Sequence, residues 1–327
     1  MKQRRVTLEQ SYLPYQYPLA ISRSVVTGET VIAVTIHEAG VSGRGEACPS
    51  ARYGETPASA LAAIKQLVPA LQGGLDRTEL QKQLPAGAAR NAVDCALWDL
   101  EAKHAGKRIW ELAGLPPPGF MLSAQTIGLD TPDAMAARAR LAHSPLLKLK
   151  LGGDGDIERV SAVRAAVPGA RLIVDANEAW TPAQFEAFPP FLAGLGVELI
   201  EQPLPAGRDD RLGTALCPIA LAADESFRDT SMIHAVLGKY QCINIKLDKT
   251  GGLTEALRAK RLAGEMGLRV MVGCMGGTSL AMAPALVVAQ DAAITDLDAP
   301  LLLVKDCAAG LSYERGVIGP FSAELWG

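Results

Sequence analysis

The sequence predicts an α/β barrel of eight βα units, preceded by a smaller α+β unit. From residue 120 onward, short apolar runs alternate with helical patterns. The runs end at near-even steps of 24, 25, 26, 23, 22, 27 and 23 residues, at Thr126, Lys150, Asp175, Glu201, Asp224, Lys246, Gly273 and Asp296. One βα unit has about this length, and eight parallel strands close into a barrel whose functional groups gather at the carboxyl ends. An open doubly wound sheet would also alternate, but would not normally put a charged residue after so many consecutive strands.

The first 115 residues have a different pattern. Residues 3–10 and 29–38 have strand character, and a third short strand ends near Cys48. Thr56 followed by Pro57 is typical of a helix start, and a second helix is predicted from about Ala88 to Lys103. Strands followed by helices without alternation predict a separate α+β unit.

These patterns predict two domains. Residues 1–115 form the α+β domain and residues 120–304 form the barrel that carries the active site. The segment 305–327 has no ninth βα unit, so we expect it to return to the first domain.

The composition restricts the class of protein. The formal net charge is -3 with no basic block, which argues against nucleic acid and anionic membranes as partners. The longest apolar run, 280–289, is too short to span a bilayer and contains Pro284. The six cysteines form no Cys-x-x-Cys pair, which favours reduced thiols in the cytoplasm over disulfides or a zinc site.

Three carboxylates end three consecutive strands of the predicted barrel, at Asp175, Glu201 and Asp224. Neighbouring strand ends lie within reach of one cation, and an all-carboxylate set without His or Cys selects a hard ion such as Mg²⁺. Any one of the three alone would be an ordinary strand-end acid or a helix cap. Their shared register favours the metal site.

Lysines end the second and sixth strands, at Lys150 and Lys246. These strands are four apart in an eight-stranded ring, so the two amines are predicted to face each other across the mouth. A carbon between them could lose a proton to one and regain it from the other, with the metal neutralising the enediolate. Two opposed bases predict racemisation or epimerisation. Lys148 shares a strand face with Lys150, so we expect the two ammonium groups and burial to lower the lysine pKa, unless both are solvated on an edge strand.

Two further carboxylates, Asp296 and Asp298, lie opposite the metal side and need another positive partner. A substrate ammonium group is the natural candidate, although a protein lysine or a helix cap would also fit. Arg23 lies in a polar loop between two strands of the α+β domain. If that domain closes over the barrel, Arg23 could meet an acidic substrate group; otherwise it is a solvated loop arginine.

These motifs resemble one family over nearly the whole chain. Lys148-x-Lys150, Asp175-Ala-Asn177, Glu201-Gln-Pro203, Asp224-Glu225-Ser226, Asn244-Ile-Lys246, Lys249-Thr-Gly-Gly252 and Asp296-x-Asp298 resemble the dipeptide epimerases, of the L-Ala-D/L-Glu type, in the muconate-lactonising branch of the enolase superfamily. Arg52-Tyr53-Gly54-Glu55 and the helix from Pro85 to Leu100 extend the resemblance into the first domain.

The resemblance implies an isomerase with a modified (β/α)₇β TIM barrel under an α+β capping domain. Lys150 and Lys246 would be the two acid/base catalysts, and Asp175, Glu201 and Asp224 would bind Mg²⁺. Asp296 and Asp298 would hold the ammonium group of a dipeptide, Arg23 would meet a glutamate side chain, Thr126 would contact substrate, and Lys148 would tune its neighbour. A possible homo-oligomer and a role in murein peptide recycling in bacterial cytoplasm are also implied.

Two questions of specificity stay open at this point. N-acylamino acid racemases and o-succinylbenzoate synthases use the same scaffold, but their substrates lack the ammonium group that Asp296 and Asp298 would bind. After the seventh strand, the segment 273–278 has glycines where relatives often carry larger side chains. We expect these glycines to widen the pocket, so that other dipeptides are possible substrates.

Overall fold

The structure is a computed structural model that describes residues 4–142, 144–213 and 216–327; the first three residues of the predicted α+β domain lie outside it. The strands are β1 Arg5–Ile21, β2 Ser24–Glu38, β3 Val41–Ala47, β4 Met121–Leu122, β5 Gln125–Ile127, β6 Leu146–Lys150, β7 Arg171–Asp175, β8 Val197–Glu201, β9 Ala220–Ala223, β10 Cys242–Ile245, β11 Arg269–Gly273, β12 Ile294–Asp296, β13 Tyr313–Glu314 and β14 Val317–Ile318. The helices are α1 Pro57–Gln72, α2 Arg77–Gln83, α3 Ala88–Ala105, α4 Ile109–Leu112, α5 Pro132–Leu141, α6 Asp156–Ala166, α7 Pro182–Gly194, α8 Ile233–Val236, α9 Leu247–Thr250, α10 Leu253–Glu265, α11 Ser279–Ala289 and α12 Ala299–Leu302.

The N-terminal unit, called the cap below, is a three-stranded antiparallel sheet covered by helices. Its order is β1-β2-β3, and α3 packs closely on β3. A Cβ placed on Gly45 would lie 2.2 Å from the Ala92 carbonyl oxygen, so this close approach requires glycine. Strand β1 extends well beyond the predicted residues 3–10, and its second half contains Pro14 and Pro18. The register shifts between Pro14 and Leu19, where an edge strand tolerates proline.

The barrel sheet contains eight consecutive parallel strands, from β5 to β12. A parallel bridge joins Ser123, two residues before β5, to Thr295 in β12, and the Ala124 amide donates to the Thr295 carbonyl oxygen at 2.8 Å. The ring is therefore closed. The prediction of a modified TIM barrel with an N-terminal α+β capping domain is confirmed, with one local difference: a 3₁₀ helix at Asp210–Gly213 follows β8 in place of an α-helix.

One layer of the barrel interior explains how the sequence positions the site. Seven strands and the residue directly before β5 each contribute one residue to a separate buried apolar cluster: Ala124, Leu146, Ile173, Leu199, Ala222, Cys242, Met271 and Ile294. Because strand side chains alternate, the residue two places further along points to the same interior. Those next positions hold Thr126, Lys148, Asp175, Glu201, Asp224, Asn244, Gly273 and Asp296. We call this apolar layer the floor of the site. The polar residues form the next layer, closer to the carboxyl ends of the strands.

The last residues of the chain contact the cap. The Trp326 indole donates to the Arg44 carbonyl oxygen at 2.9 Å, and the Gly327 amide donates to Asp99 Oδ1 at 2.7 Å. The predicted boundaries of the two domains stay a prediction. No helix within the described ranges is both long and apolar enough to cross a membrane.

Asp99 is fully buried and accepts hydrogen bonds from the Gly327 amide, the Arg44 amide and the Lys103 ammonium group. We expect Asp99→Asn to lower the free energy of unfolding by about 2–4 kcal/mol, because the Lys103 charge and one buried N–H lose their acceptor. Urea denaturation checks this. The matched control, Asp133→Asn at an exposed position of α5, should change stability by about 0.5 kcal/mol or less. Equal effects of the two variants would contradict the structural role of Asp99.

Candidate active site

Two lysines occupy opposite positions of the closed ring. Lys150 ends β6 and Lys246 directly follows β10, and three strands separate them in either direction around the ring. Both line a cavity of 170 Å³ at the mouth of the barrel. Lys150 Nζ lies 2.6 Å from Asp175 Oδ2, and Lys246 Nζ lies 2.7 Å from Asp224 Oδ2. Burial lowers the pKa of Lys246, but the carboxylates of Asp224 and Glu201 outweigh burial and raise it.

Lys148 lies below Lys150 in the interior of the ring and is 1% exposed. Its Nζ is 2.7 Å from Glu201 Oε2, 2.7 Å from Asp296 Oδ2 and 3.3 Å from Asp175 Oδ2. Burial lowers the pKa of Lys148, but these three carboxylates outweigh it and raise the pKa well above its ordinary value. The expectation of a lowered pKa is therefore wrong for Lys148, because the sequence pattern showed the neighbouring lysine but not the three acids.

The three predicted metal ligands end β7 and β8 and follow β9, on the arc between the two lysines. Asp175 and Glu201 are paired in register, and all three acids are at most 2% exposed. Burial opposes ionisation, but Lys150 and Lys148 hold the pKa of Asp175 below its usual range, and Lys246 and Lys249 do the same for Asp224. For Glu201, burial and the Asp175 charge raise the pKa to about 7.

The donor set fits a hard cation. Glu201 Oε2 is buried and accepts no hydrogen bond from the described residues; its contact with the Lys148 ammonium group, 2.7 Å away, is an ion pair. Carboxylate oxygens are the ligands that Mg²⁺ prefers, and a bound cation would remove the penalty that raises the Glu201 pKa. Among the described residues, no three His, Cys, Asp or Glu side chains are arranged to hold a metal ion as they stand. Each of the three acids forms an ion pair with at least one ammonium group instead.

Several residues that support these acids were not assigned a role from the sequence. Lys249 is fully buried, with its Nζ 2.6 Å from Asp224 Oδ1 and bonded to three backbone carbonyl oxygens. Asn244 donates to Glu201 Oε1 at 2.8 Å, and Gln202 accepts from the Asp224 amide at 3.0 Å. Asn244 is two residues before Lys246 on one strand face, a signal that could have placed it in the interior. Lys249 gave no such signal, because it follows the strand.

Asp296 and Asp298 lie on the other side of the cavity. Asp296 bonds to Lys148, and Asp298 Oδ2 accepts from the Thr126 amide at 2.6 Å. Burial and the Asp296 charge raise the pKa of Asp298 to about 6. The alternative that these acids pair with a protein lysine thus holds for Asp296, whose second oxygen finds no hydrogen-bond partner among the residues that the structure describes. The Thr126 side chain lines the same cavity.

The cap reaches over the barrel mouth through the hairpin between β1 and β2. Arg23 lies at its turn, lines the cavity, and places Nη2 2.9 Å from Glu225 Oε1. Its Nη1 donates to the Asn177 carbonyl oxygen at 3.1 Å, as does the Ser22 hydroxyl. The structure thus brings Arg23 to the site. Arg52 forms a second cap–barrel contact, a two-bond ion pair with Glu178.

The glycines after β11 do not leave open space. A Cβ placed on Gly276 would lie 2.5 Å from Glu29 Cγ and 2.8 Å from Tyr15 Oη, two cap side chains that line the cavity. The expectation that these glycines widen the pocket is therefore wrong at Gly276, because cap residues fill the space. Tyr15 and Glu29 were not predicted, since contacts between a cap sheet and a strand-end loop leave no local sequence pattern.

Comparisons with known proteins match both halves of the chain. The mandelate racemase / muconate lactonizing enzyme N-terminal domain matches residues 3–114, and the enolase C-terminal domain-like family matches residues 133–304. The L-Ala-D/L-Glu epimerase of Escherichia coli (strain K12) is 44% identical over 96% of this chain and 98% of its own length. The N-acetyl-D-glutamate racemase of a Pseudoalteromonas species is 42% identical, over 91% of this chain and 95% of its own.

Solved structures with dipeptides bound are also similar to this chain. An enolase family member from Agrobacterium tumefaciens with homology to dipeptide epimerases, with bound sodium and L-Ala-L-Glu, has a TM-score of 0.97 at 46% identity, covering 99% of this chain and 100% of that one. A dipeptide epimerase from Enterococcus faecalis V583, complexed with Mg and L-Leu-L-Tyr, has a TM-score of 0.92 at 29% identity, covering 99% of both chains.

Proposed function

This chain belongs to the mandelate racemase / muconate lactonizing enzyme family of the enolase superfamily, and we propose that it is an Mg²⁺-dependent epimerase of L-Ala-D/L-Glu type dipeptides. One observation carries the proposal. Lys150 and Lys246 stand at opposite positions of a closed ring and line one cavity, with three buried carboxylates on the arc between them. Two amines on opposite sides of a carbon suit inversion at that carbon.

The two lysines move the proton. One takes the α-proton of the C-terminal residue from one face as a neutral amine, and the other, as an ammonium group, returns a proton to the opposite face. The roles exchange in the reverse direction, so each lysine serves one epimer. Ion pairs with the buried acids Asp175 and Asp224 hold the two lysine side chains in position before the substrate binds. Lys148, held by three carboxylates, is a positioning residue under this proposal.

Asp175, Glu201 and Asp224 would hold Mg²⁺. When bound, Mg²⁺ would supply positive charge beside the substrate carboxylate, whose negative charge grows as the α-proton leaves, and this would make a weak carbon acid reactive. Lys249, Asn244 and Gln202 fix the acids through the hydrogen bonds described above. The pKa of Glu201 stays raised although Lys148 Nζ lies 2.7 Å from its carboxylate, and this supports a further positive charge, a cation, at this position.

The two ends of the cavity suit the two ends of a dipeptide. Asp298, with Asp296 beside it, would receive the ammonium group, and Arg23 would receive the glutamate side chain. A second candidate is N-acetylglutamate racemisation, favoured by the 42% identical relative. An N-acetyl group carries no charge, so it leaves the Asp298 carboxylate without a cationic partner, and we favour the dipeptide. Murein peptide recycling, a cytoplasmic location and a homo-oligomer stay predictions.

The test is incubation with L-Ala-L-Glu, L-Ala-D-Glu and N-acetyl-L-Glu in D₂O, with and without Mg²⁺. We expect deuterium at the α-carbon of the glutamate residue together with epimerisation, both lost in EDTA and restored by Mg²⁺. NMR detects the exchange, and chiral chromatography detects the epimers. Faster turnover of N-acetyl-L-Glu would favour the second candidate, and no exchange in any compound would contradict both.

A further inference from the structure

Glu29 is a cap carboxylate in the cavity that the proposed mechanism does not use. It lies on β2 and lines the same cavity as Lys150, Lys246 and Asp298. Its Cβ and Cγ occupy the space beside Gly276, so the side chain points from the cap toward the end of β11. It is half-buried, and the described part of the chain gives it no ion pair; the Cys48 thiol is its hydrogen-bond donor. A carboxylate with no cation beside it leaves its negative charge free to act on a ligand in the cavity.

Glu29 lies at the ammonium end of the cavity. Tyr15 is next to it, also beside Gly276, and the Tyr15 backbone bridges to Leu303, which directly follows the helix α12 that Asp298 caps at its start. Tyr15 and Glu29 therefore lie on the side of the cavity formed by the segment after β12 and the loop after β11, and Asp298 lines the same cavity. Arg23, the cation that would meet the glutamate side chain, lies at a different part of the cavity. It is at the turn of the β1–β2 hairpin and contacts the loops after β7 and β9.

We propose that Glu29 is a specificity-determining residue that selects the N-terminal residue of the dipeptide by charge and size. This inference rests on the proposed dipeptide function. Glu29 and Tyr15 together fill the space beside Gly276, so a short side chain such as that of alanine suits this end of the cavity better than a long one. The Glu29 carboxylate repels an acidic side chain at the same position, because like charges close together in a desolvated site are unfavourable.

The experiment compares two dipeptides of nearly equal shape, L-Asn-L-Glu and L-Asp-L-Glu, as competitive inhibitors of L-Ala-L-Glu epimerisation. We expect the parent to bind L-Asn-L-Glu at least about tenfold more tightly, and Glu29→Gln to reduce that preference by about tenfold. The control Glu9→Gln removes an exposed acid of the neighbouring strand β1 and should leave the preference unchanged.

Two outcomes would overturn the proposal. An unchanged Asn-to-Asp preference in Glu29→Gln would show that the carboxylate does not sense the side chain. An equal weakening of both inhibitors would show that Glu29 anchors the ammonium group instead. If L-Ala-L-Glu is not turned over, the proposed function fails separately, and the same preference is measured by calorimetric titration of the Mg²⁺-loaded protein with the two dipeptides.

Discussion

Replacing Lys150 or Lys246 with arginine should lower kcat/KM for epimerisation of L-Ala-L-Glu by about 10²–10⁴-fold, because each lysine transfers a proton on one face and arginine does not lose its proton at neutral pH. Arginine keeps the positive charge beside Asp175 or Asp224, so the buried acids stay paired. Initial rates by chiral chromatography give the effect. The Mg²⁺-dependent shift in Tm, measured in parallel, should persist in both variants.

The matched control for these variants is Lys65→Arg, an exposed position on α1. It should retain the parent rate, since Lys65 lies outside the cavity. Parent-like turnover in either the Lys150 or the Lys246 variant would contradict the two-base arrangement. Loss of the Mg²⁺-dependent shift would instead indicate damage to the three acids, and the rate would then say nothing about proton transfer.

Replacing Asp298 with asparagine should lower kcat/KM for L-Ala-L-Glu by about a hundredfold, because the substrate ammonium group loses its anionic partner in a buried site. Asparagine can still accept the hydrogen bond from the Thr126 amide, so the local backbone contact is kept. Asp298 is a cleaner choice than Asp296, which also bonds to Lys148.

The readout that separates ammonium recognition from general damage is inhibition by N-acetyl-L-Glu. This compound has no ammonium group, so its inhibition constant should change by about twofold or less in Asp298→Asn. An equal loss of dipeptide turnover and of N-acetyl-L-Glu binding would contradict the assignment of Asp298 to the ammonium group.

The barrel and most of the site could be predicted from sequence because strand periodicity determines them. Asp175, Glu201 and Asp296 each end a strand and lie two residues after a floor residue, so one alternation rule places all three in the interior. The spacing of the strands alone put Lys150 and Lys246 at opposite positions of the ring. These inferences needed no knowledge of contacts between distant segments.

The remaining features depend on such contacts. The raised pKa of Lys148 comes from Asp296, Glu201 and Asp175, which approach it from three other strands. Glu29 and Tyr15 fill the space beside Gly276 only because the cap folds over the barrel. Local patterns carry no information on that docking, which is why the glycine was expected to widen the pocket and the cap residues were not predicted.

The most direct test of the two-lysine arrangement is α-proton exchange in D₂O, measured separately from L-Ala-L-Glu and L-Ala-D-Glu for the two arginine variants. We expect each variant to exchange the α-proton of only one epimer, and the two variants to differ in which epimer this is. Neither variant should interconvert the epimers at an appreciable rate. Exchange of both epimers by a single variant would show that one base serves both faces, and would contradict the account.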